Sequence, residues 1–431
     1  MRTPFLGGPL RRAGWGIADQ GLSSLTNFAL NVAVARAVGA TEFGAFGIAF
    51  ATYLLALGLG RSWDTEPLTV RFSGTSWAQM EQAAKSATGA MLVVGVSGGL
   101  LCATAGLLMG GRAVGGAMVA LGFSLPGLLL QDAWRQIFFA ASRGRSAFIN
   151  DLVWAIVLSG ALVISIDRSI ESAHWFIAAW GASATVAALV GMWQARFIPN
   201  PFTAVDWWKT HRDLGIRYVG EFLAMVGATQ LVIYGTGLVV GLAAVGALRA
   251  AQAVLGPVQV LLQGIWLFAL PDQVSRLRRS VERFREVALL LSVVLCGAAL
   301  LVGAIAYMLP REVGESLFGE TWAAARLVVI PMALALAGTG VSMGAVMGLR
   351  ALLEAQKSLT IRLILLPLTL VSGVSGAALF GAAGAAVGLA TSIWIGAVLW
   401  WIAFHRSLAT ARATREDSSR KVDISSLNPP K

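Results

Sequence analysis

Apolar residues along this chain come in runs of about 20, separated by short polar stretches. That is the pattern of helices crossing a bilayer, not of helices that turn one apolar stripe toward a soluble core. The runs predict twelve spans, at about 13–38, 42–60, 86–109, 113–134, 147–166, 174–195, 218–241, 245–270, 287–309, 325–348, 360–380 and 385–404. Residues 1–12 form a basic cytoplasmic leader, 13–196 an N-lobe of spans 1–6, and 197–217 a cytoplasmic interfacial linker rich in Pro and Trp. Residues 218–404 form a C-lobe of spans 7–12, and the charged tail 405–431 is expected to be disordered. The segment from Arg61 to Lys85 reads as lying on the inner membrane surface, and 310–324 as the longest outer loop.

The two halves echo each other. Gly39-Ala-Thr-Glu-Phe-Gly44-Ala-Phe46, a tight turn between spans 1 and 2, returns as Gly241-Leu-Ala-Ala-Val-Gly246-Ala-Leu248 between spans 7 and 8. The same offset carries Asp19 onto Glu221, and Arg135-Gln-Ile-Phe-Phe-Ala140 after span 4 matches Arg350-Ala-Leu-Leu-Glu-Ala355 after span 10. Six spans per half is an even number, so the halves are parallel repeats about an axis along the membrane normal. The expected fold is an all-α polytopic membrane protein, two six-helix repeats around a central cavity.

Composition agrees. The chain has 431 residues, of which 57% are hydrophobic and 13% charged, with a mean hydropathy of +0.73. No single soluble core hides that much apolar surface. The net charge of +11 does not indicate nucleic acid, because the basic residues are spread thinly between the apolar runs. Most of the 33 Lys and Arg fall on the leader's side of the twelve-span plan, which predicts cytoplasmic termini. Many of the 15 tryptophans (Trp15, Trp63, Trp77, Trp207, Trp208, Trp400 and Trp401 among them) fall near predicted interfaces, as an aromatic belt does. Cys102 and Cys296 lie inside apolar runs and read as small hydrophobic residues. The first run is too long and polar for a removable signal and is expected to stay in the mature chain. No phosphate-binding Gly-x-x-x-x-Gly-Lys-Ser/Thr and no His/Cys cluster occurs, so neither a cofactor nor a metal is expected.

Polar groups at membrane depth are costly and tend to face a bundle interior or a wet cavity. Gln20, Ser24, Asn27 and Asn31 fall on one face of span 1, and Gln252, Gln259 and Gln263 on one face of span 8. Such amides serve either as interhelical glue or as polar cavity walls suited to sugar hydroxyls. Asp19 and Glu221, near the inner ends of spans 1 and 7, are candidates for coupling to a proton or cation, or else interfacial carboxylates favoured by helix N-termini. Arg61 at the inner mouth, Arg249 in the first turn of span 8 and Arg36 at the outer end of span 1 are candidate phosphate contacts, or else topogenic or snorkelling arginines.

Asp19-Gln-Gly-Leu-Ser-Ser-Leu-Thr-Asn27, Val34-Ala-Arg36-Ala-Val-Gly39-Ala-Thr-Glu42-Phe-Gly44 and Glu66-Pro-Leu resemble the start of bacterial polysaccharide-biosynthesis transporters. These are the Wzx-like O-antigen and exopolysaccharide flippases of the multidrug/oligosaccharidyl-lipid/polysaccharide (MOP) exporter superfamily. Gly246-Ala-Leu-Arg-Ala-Ala-Gln252 through Gly256-Pro257 resembles the family's second-half counterpart. The resemblance implies alternating access of two lobes around a cavity lined by spans 1, 2, 7 and 8. It implies a polyprenyl-diphosphate-linked oligosaccharide as substrate, a bacterial cytoplasmic membrane, and room for glycan polymerase or ligase partners. Two other readings stay open: a cation-coupled drug or metabolite antiporter of the same superfamily, and a membrane glycan ligase or polymerase. The short outer loops and repeated halves speak against the latter.

Overall fold

A computed structural model describes residues 7–73, 75–262, 281–352 and 354–427. Its helices are α1 (Gly7–Ala37), α2 (Ala40–Gly60), α3 (Glu66–Phe72), α4 (Trp77–Leu108), α5 (Ala113–Ala140), α6 (Gly144–Asp167) and α7 (Ala173–Ala195) in the first half. In the second half they are α8 (Ala204–Phe222), α9 (Ala228–Val239), α10 (Leu242–Val254), α11 (Gly256–Leu262), α12 (Val281–Met308), α13 (Arg311–Phe318), α14 (Thr321–Ala351) and α15 (Ala355–Leu427). One-turn π segments, Arg61–Thr65 and Leu223–Gly227, join α2 to α3 and α8 to α9.

Among the described residues, 8 helices are long and apolar enough to cross a membrane, and 9 if the bent pair α10–α11 is one span. One of them is a 55-residue stretch of α15, Gln356–Thr410, which breaks at Phe380 and Gly381 and is long enough for two passes. With α1, whose polar stripe dilutes its apolar character, and the joined α8–α9, the chain makes the twelve passes of two six-helix repeats.

Several boundaries differ from the sequence expectation, each for a local reason. The second span does not end at Gly60: the π turn accommodates an extra residue and the helix runs on to Phe72. Trp77 then begins α4, where Ser76 and Gln79 cap each other reciprocally. The interfacial linker is not separate from span 7: from Ala204 it is the amphipathic start of the helix that becomes that span. Trp207, read as an interfacial belt residue, is buried and stacked on His211 at 3.8 Å. The tail expected to be disordered continues α15 to Leu427, and Arg412 pairs with Glu282 of α12 at 2.9 Å. The eighth span starts at Leu242 and bends by 58° at Gly256-Pro257, where proline removes a helix hydrogen bond.

Helices α1–α7 pack mainly on one another, as do α9, α10, α12, α14 and α15, giving two lobes. Small residues line these packings, as close helix approach in lipid requires: Ala117, Ala133, Ala184 and Ala187 in the first lobe, Ala333, Ala377, Ala385 and Ala386 in the second. The side of the membrane bearing the Gly39 turn is called outer below. There the lobes touch through the two echoed turns, α2 against α10. A Cβ on Gly44 would overlap the Leu242 main chain, so only glycine permits this approach. Gly241 has φ +113°, a conformation that also demands glycine. Glu42 of the first turn accepts a hydrogen bond from the Ala173 amide at 2.8 Å, placing a carboxylate at the start of α7. A second outer contact comes from α13, whose Phe318 meets Phe28 of α1 edge-on, with Trp322 buried beside it.

Candidate transport site

Polar groups gather in a charged cluster within the first lobe and in a cavity between the lobes. The cluster is built on α5. Gln131 and Arg135, four residues apart, share one face, and Asp132 is one step around the helix. Arg135 donates to Asp19 of α1 at 2.6 Å and to the Gln20 side-chain oxygen at 3.0 Å, and lies 3.4 Å from Asp151 of α6. Gln131 donates to Asp151 at 2.7 Å, and Asn150 donates to the Ala187 carbonyl at 2.7 Å. Arg61, in the π turn, forms a two-pronged ion pair with Asp132. Three aspartates therefore face two arginines in a buried site, an arrangement one proton or one small cation short of neutral.

The second lobe repeats the theme with two arginines on one carboxylate, and Glu66 of α3 lies close enough to act on Glu221 and Arg350. Arg350 pairs with Glu221, and Arg362 reaches the same carboxylate at 3.3 Å while lying over Trp400. The Glu221 side chain is 37% exposed, whereas that of Asp19 is fully buried. Asp19 is thus not an interfacial carboxylate at a helix N-terminus: α1 begins at Gly7, twelve residues earlier, and Arg135 holds Asp19 inside the lobe.

The interlobe cavity, a small gap of about 10 Å³ with the lobes as they stand here, is lined by α2, α9 and α10. Phe50, Gln230, Arg249 and Gln252 are among its walls. Arg249 is not in the first turn at the outer surface, because α10 starts at Leu242 and carries it two turns inward, between the lobes. Its guanidinium lies 3.5 Å from the centroid of the Phe50 ring and donates a 3.5 Å hydrogen bond to Gln252. Its Nε is buried without a partner, as is the Gln230 side-chain oxygen. Among the described residues no carboxylate pairs with Arg249. Nearby, the Thr52 and Tyr234 hydroxyls bond across the lobes at 2.8 Å.

The remaining predicted site residues fall in different places. On α1, Gln20 joins the charged cluster and also donates to Ser24 at 3.4 Å. Asn27 and Asn31 donate to main-chain carbonyls four residues back in their own helix, at 2.9 and 2.7 Å. Neither amide donor is used to tie α1 to another helix. Gln259 is exposed on α11, beyond the 58° bend, whereas Gln252 lines the interlobe cavity; Gln263 lies outside the described residues. Arg36 is exposed at the outer end of α1. Arg61 is committed to Asp132. Sequence reasoning did not single out Phe50, Gln230, Asp151 or Arg362. The Gln131/Arg135 spacing was a usable signal for the cluster; the meeting of Phe50 with Arg249, on helices of different lobes, left none.

No protein-family model matches the chain, and no curated protein does. Solved structures do. A multidrug resistance MATE family transporter of the MOP superfamily, in an inward-facing conformation, aligns with a TM-score of 0.70 at 15% identity over 91% of this chain and 96% of that one. Lipid II flippase MurJ, in an inward closed conformation, aligns with a TM-score of 0.68 at 10% identity over 92% and 89%. An outward-facing MATE family transporter aligns with a TM-score of 0.60 at 16% identity over 95% and 98%. The chain is a multi-pass membrane protein with the fold these MOP-superfamily proteins share.

Proposed function

We propose that the protein is a flippase that moves a polyprenyl-diphosphate-linked oligosaccharide across the cytoplasmic membrane by alternating access, serving cell-surface polysaccharide synthesis. The observation that carries this reading is Arg249: a guanidinium between the lobes, with no carboxylate among the described residues to neutralise it and one donor unsatisfied. An uncompensated cation at membrane depth is costly. It suits a cavity that receives an anion, and a guanidinium matches phosphate oxygens in two-pronged fashion. A site for cationic drugs gains nothing from it. Gln252 and Gln230 beside it offer both donors and acceptors to hydroxyl-rich cargo. The acid excess around Asp19 supports coupling to a proton or small cation in the first lobe, while Glu221, partly exposed and held by Arg350 and Arg362, fits that role less well.

The test is a strain lacking the gene, with its pool of polyprenyl-diphosphate-linked glycan sampled on both leaflets. Accumulation on the cytoplasmic leaflet, reversed by the gene, is expected. Accumulation on the outer leaflet would indicate a ligase or polymerase. An unchanged pool with altered drug efflux would indicate the antiporter.

A further inference from the structure

The aromatic face beneath Arg249 belongs to the opposite lobe. Phe50 lies on α2, Arg249 on α10. Behind Phe50 the face continues: Trp180 of α7 stacks on it at 5.5 Å with ring planes 14° apart. Tyr53 meets Phe50 edge-on at 5.7 Å and Trp180 edge-on at 4.7 Å. Trp180 is almost fully buried and Phe50 nearly so, which fixes the rings as one slab. The contact lies about two turns inward of the Gly44–Leu242 approach, near the middle of α2.

Aromatic rings attract a guanidinium through their quadrupole, and more strongly when water is excluded. They do not neutralise it. A cation held this way keeps its charge and its free donor for any anion that arrives. Phosphate oxygens offer stronger, charge-assisted bonds to the same group. The outer-closed arrangement provides the ring; parting the lobes on the outer side withdraws it and leaves Arg249 in need of another partner.

We propose that Phe50, backed by Trp180 and Tyr53, is a positioning residue that clasps Arg249 and holds the outer side closed, and that a diphosphate entering the cavity draws the guanidinium off the ring and releases the clasp. The second half rests on the reading of Arg249 as a phosphate contact. A ligand shifts a two-state equilibrium only by its differential affinity. Here the difference arises because the closed state supplies Arg249 with a competing partner and the open state does not. The empty carrier therefore favours outer closure, and the loaded one opens.

The test uses the full-length protein in nanodiscs, with Cys102 and Cys296 replaced and spin labels at Thr41→Cys and Ala243→Cys, both exposed on the outer turns. Distances are measured with and without farnesyl diphosphate, with farnesol as the uncharged control. Phe50→Leu is expected to raise the open-to-closed ratio on the order of ten-fold without ligand. Phe50→Tyr keeps the ring and the closed distribution, separating loss of the clasp from general misfolding. Farnesyl diphosphate is expected to open the wild type, to add little in Phe50→Leu, and to do nothing in Arg249→Gln. Farnesol is expected to have no effect. A Phe50→Leu distribution identical to wild type overturns the clasp, even if the wild type still binds the diphosphate. Opening by Phe50→Leu with no response of the wild type to farnesyl diphosphate overturns release by anion, and with it the diphosphate reading of Arg249, while the clasp stands.

Discussion

Arg135 holds Asp19 in the first lobe as Arg350 holds Glu221 in the second. Two separate echoes in the sequence, one in the first span of each half and one after the fourth, meet in space as a single ion pair repeated per lobe. Their surroundings differ. Asp19 is fully buried beside Asp151, whereas Glu221 is partly exposed and has Arg362 as a second cation. Removing Arg135 strands two buried carboxylates, a loss of about 3 kcal/mol by the measure of buried pairs. Removing Arg350 leaves Arg362 in place and is expected to cost about 1 kcal/mol or less. Thermal unfolding in detergent should therefore show Arg135→Ala well below wild type and Arg350→Ala near it; equal losses would contradict this account.

Arg249→Ala is expected to reduce transport at least ten-fold, and Arg249→Lys to reduce it less, because lysine keeps the charge but loses the planar two-pronged fork. The readout is outer-leaflet appearance of lipid-linked glycan at matched expression. Wild-type rates in both variants would make Arg249 structural.

Replacing Asn27 and Asn31 together with Leu is expected to impair transport while leaving insertion and melting temperature near wild type. Among the described residues their amide donors bond to their own helix, and the Asn31 side-chain oxygen is buried without a partner, so no interhelical hydrogen bond among those residues is lost. Normal export by a well-expressed double variant would remove α1 from the transport path.

Gly44→Val is expected to prevent full outer closure, because its side chain must occupy the space of the Leu242 main chain. Cross-linking between Thr41→Cys and Ala243→Cys should fall several-fold. Undiminished cross-linking would mean the turns approach in another way.

His211 lies on the inner surface, stacked on Trp207 and facing Arg71 and Asp213. Burial, the largest influence, lowers its pKa, aided by Arg71; the bond to the Trp207 carbonyl and the charge of Asp213 act the other way. A histidine whose folded pKa is depressed resists protonation when folded but not when unfolded. Its stabilising effect is thus present above the ordinary histidine pKa, about 6.5, and is lost as pH falls from there through the folded value. Melting temperatures between pH 8 and 5 should decline more steeply for wild type than for His211→Phe. Parallel curves would show that His211 does not contribute.

What could be read from the chain was what repeats or alternates. The apolar runs placed the spans, and the Gly39 and Gly241 turns were recognisable as equivalents before it was known that they touch. The α1 stripe was legible because helical spacing is local. Misplacements came from continuity: Arg61 and Trp207 sit in polar segments that look like surface connections, yet a π turn and an amphipathic helix carry the chain on without a break. The Arg249 clasp was invisible because it depends on how two lobes face each other, and no periodicity within either lobe encodes that.

At the Gly44–Leu242 crossing, the lobes meet main chain on main chain. Such a contact has no side-chain rotamers through which to breathe. For the flippase proposed above, which would pass a bulky glycan through an energised membrane, any flicker at the closed end would dissipate ion gradients. Glycine at this crossing lets the two turns close on each other with no side chain wedged between them, the closest seal the proposed carrier could have there.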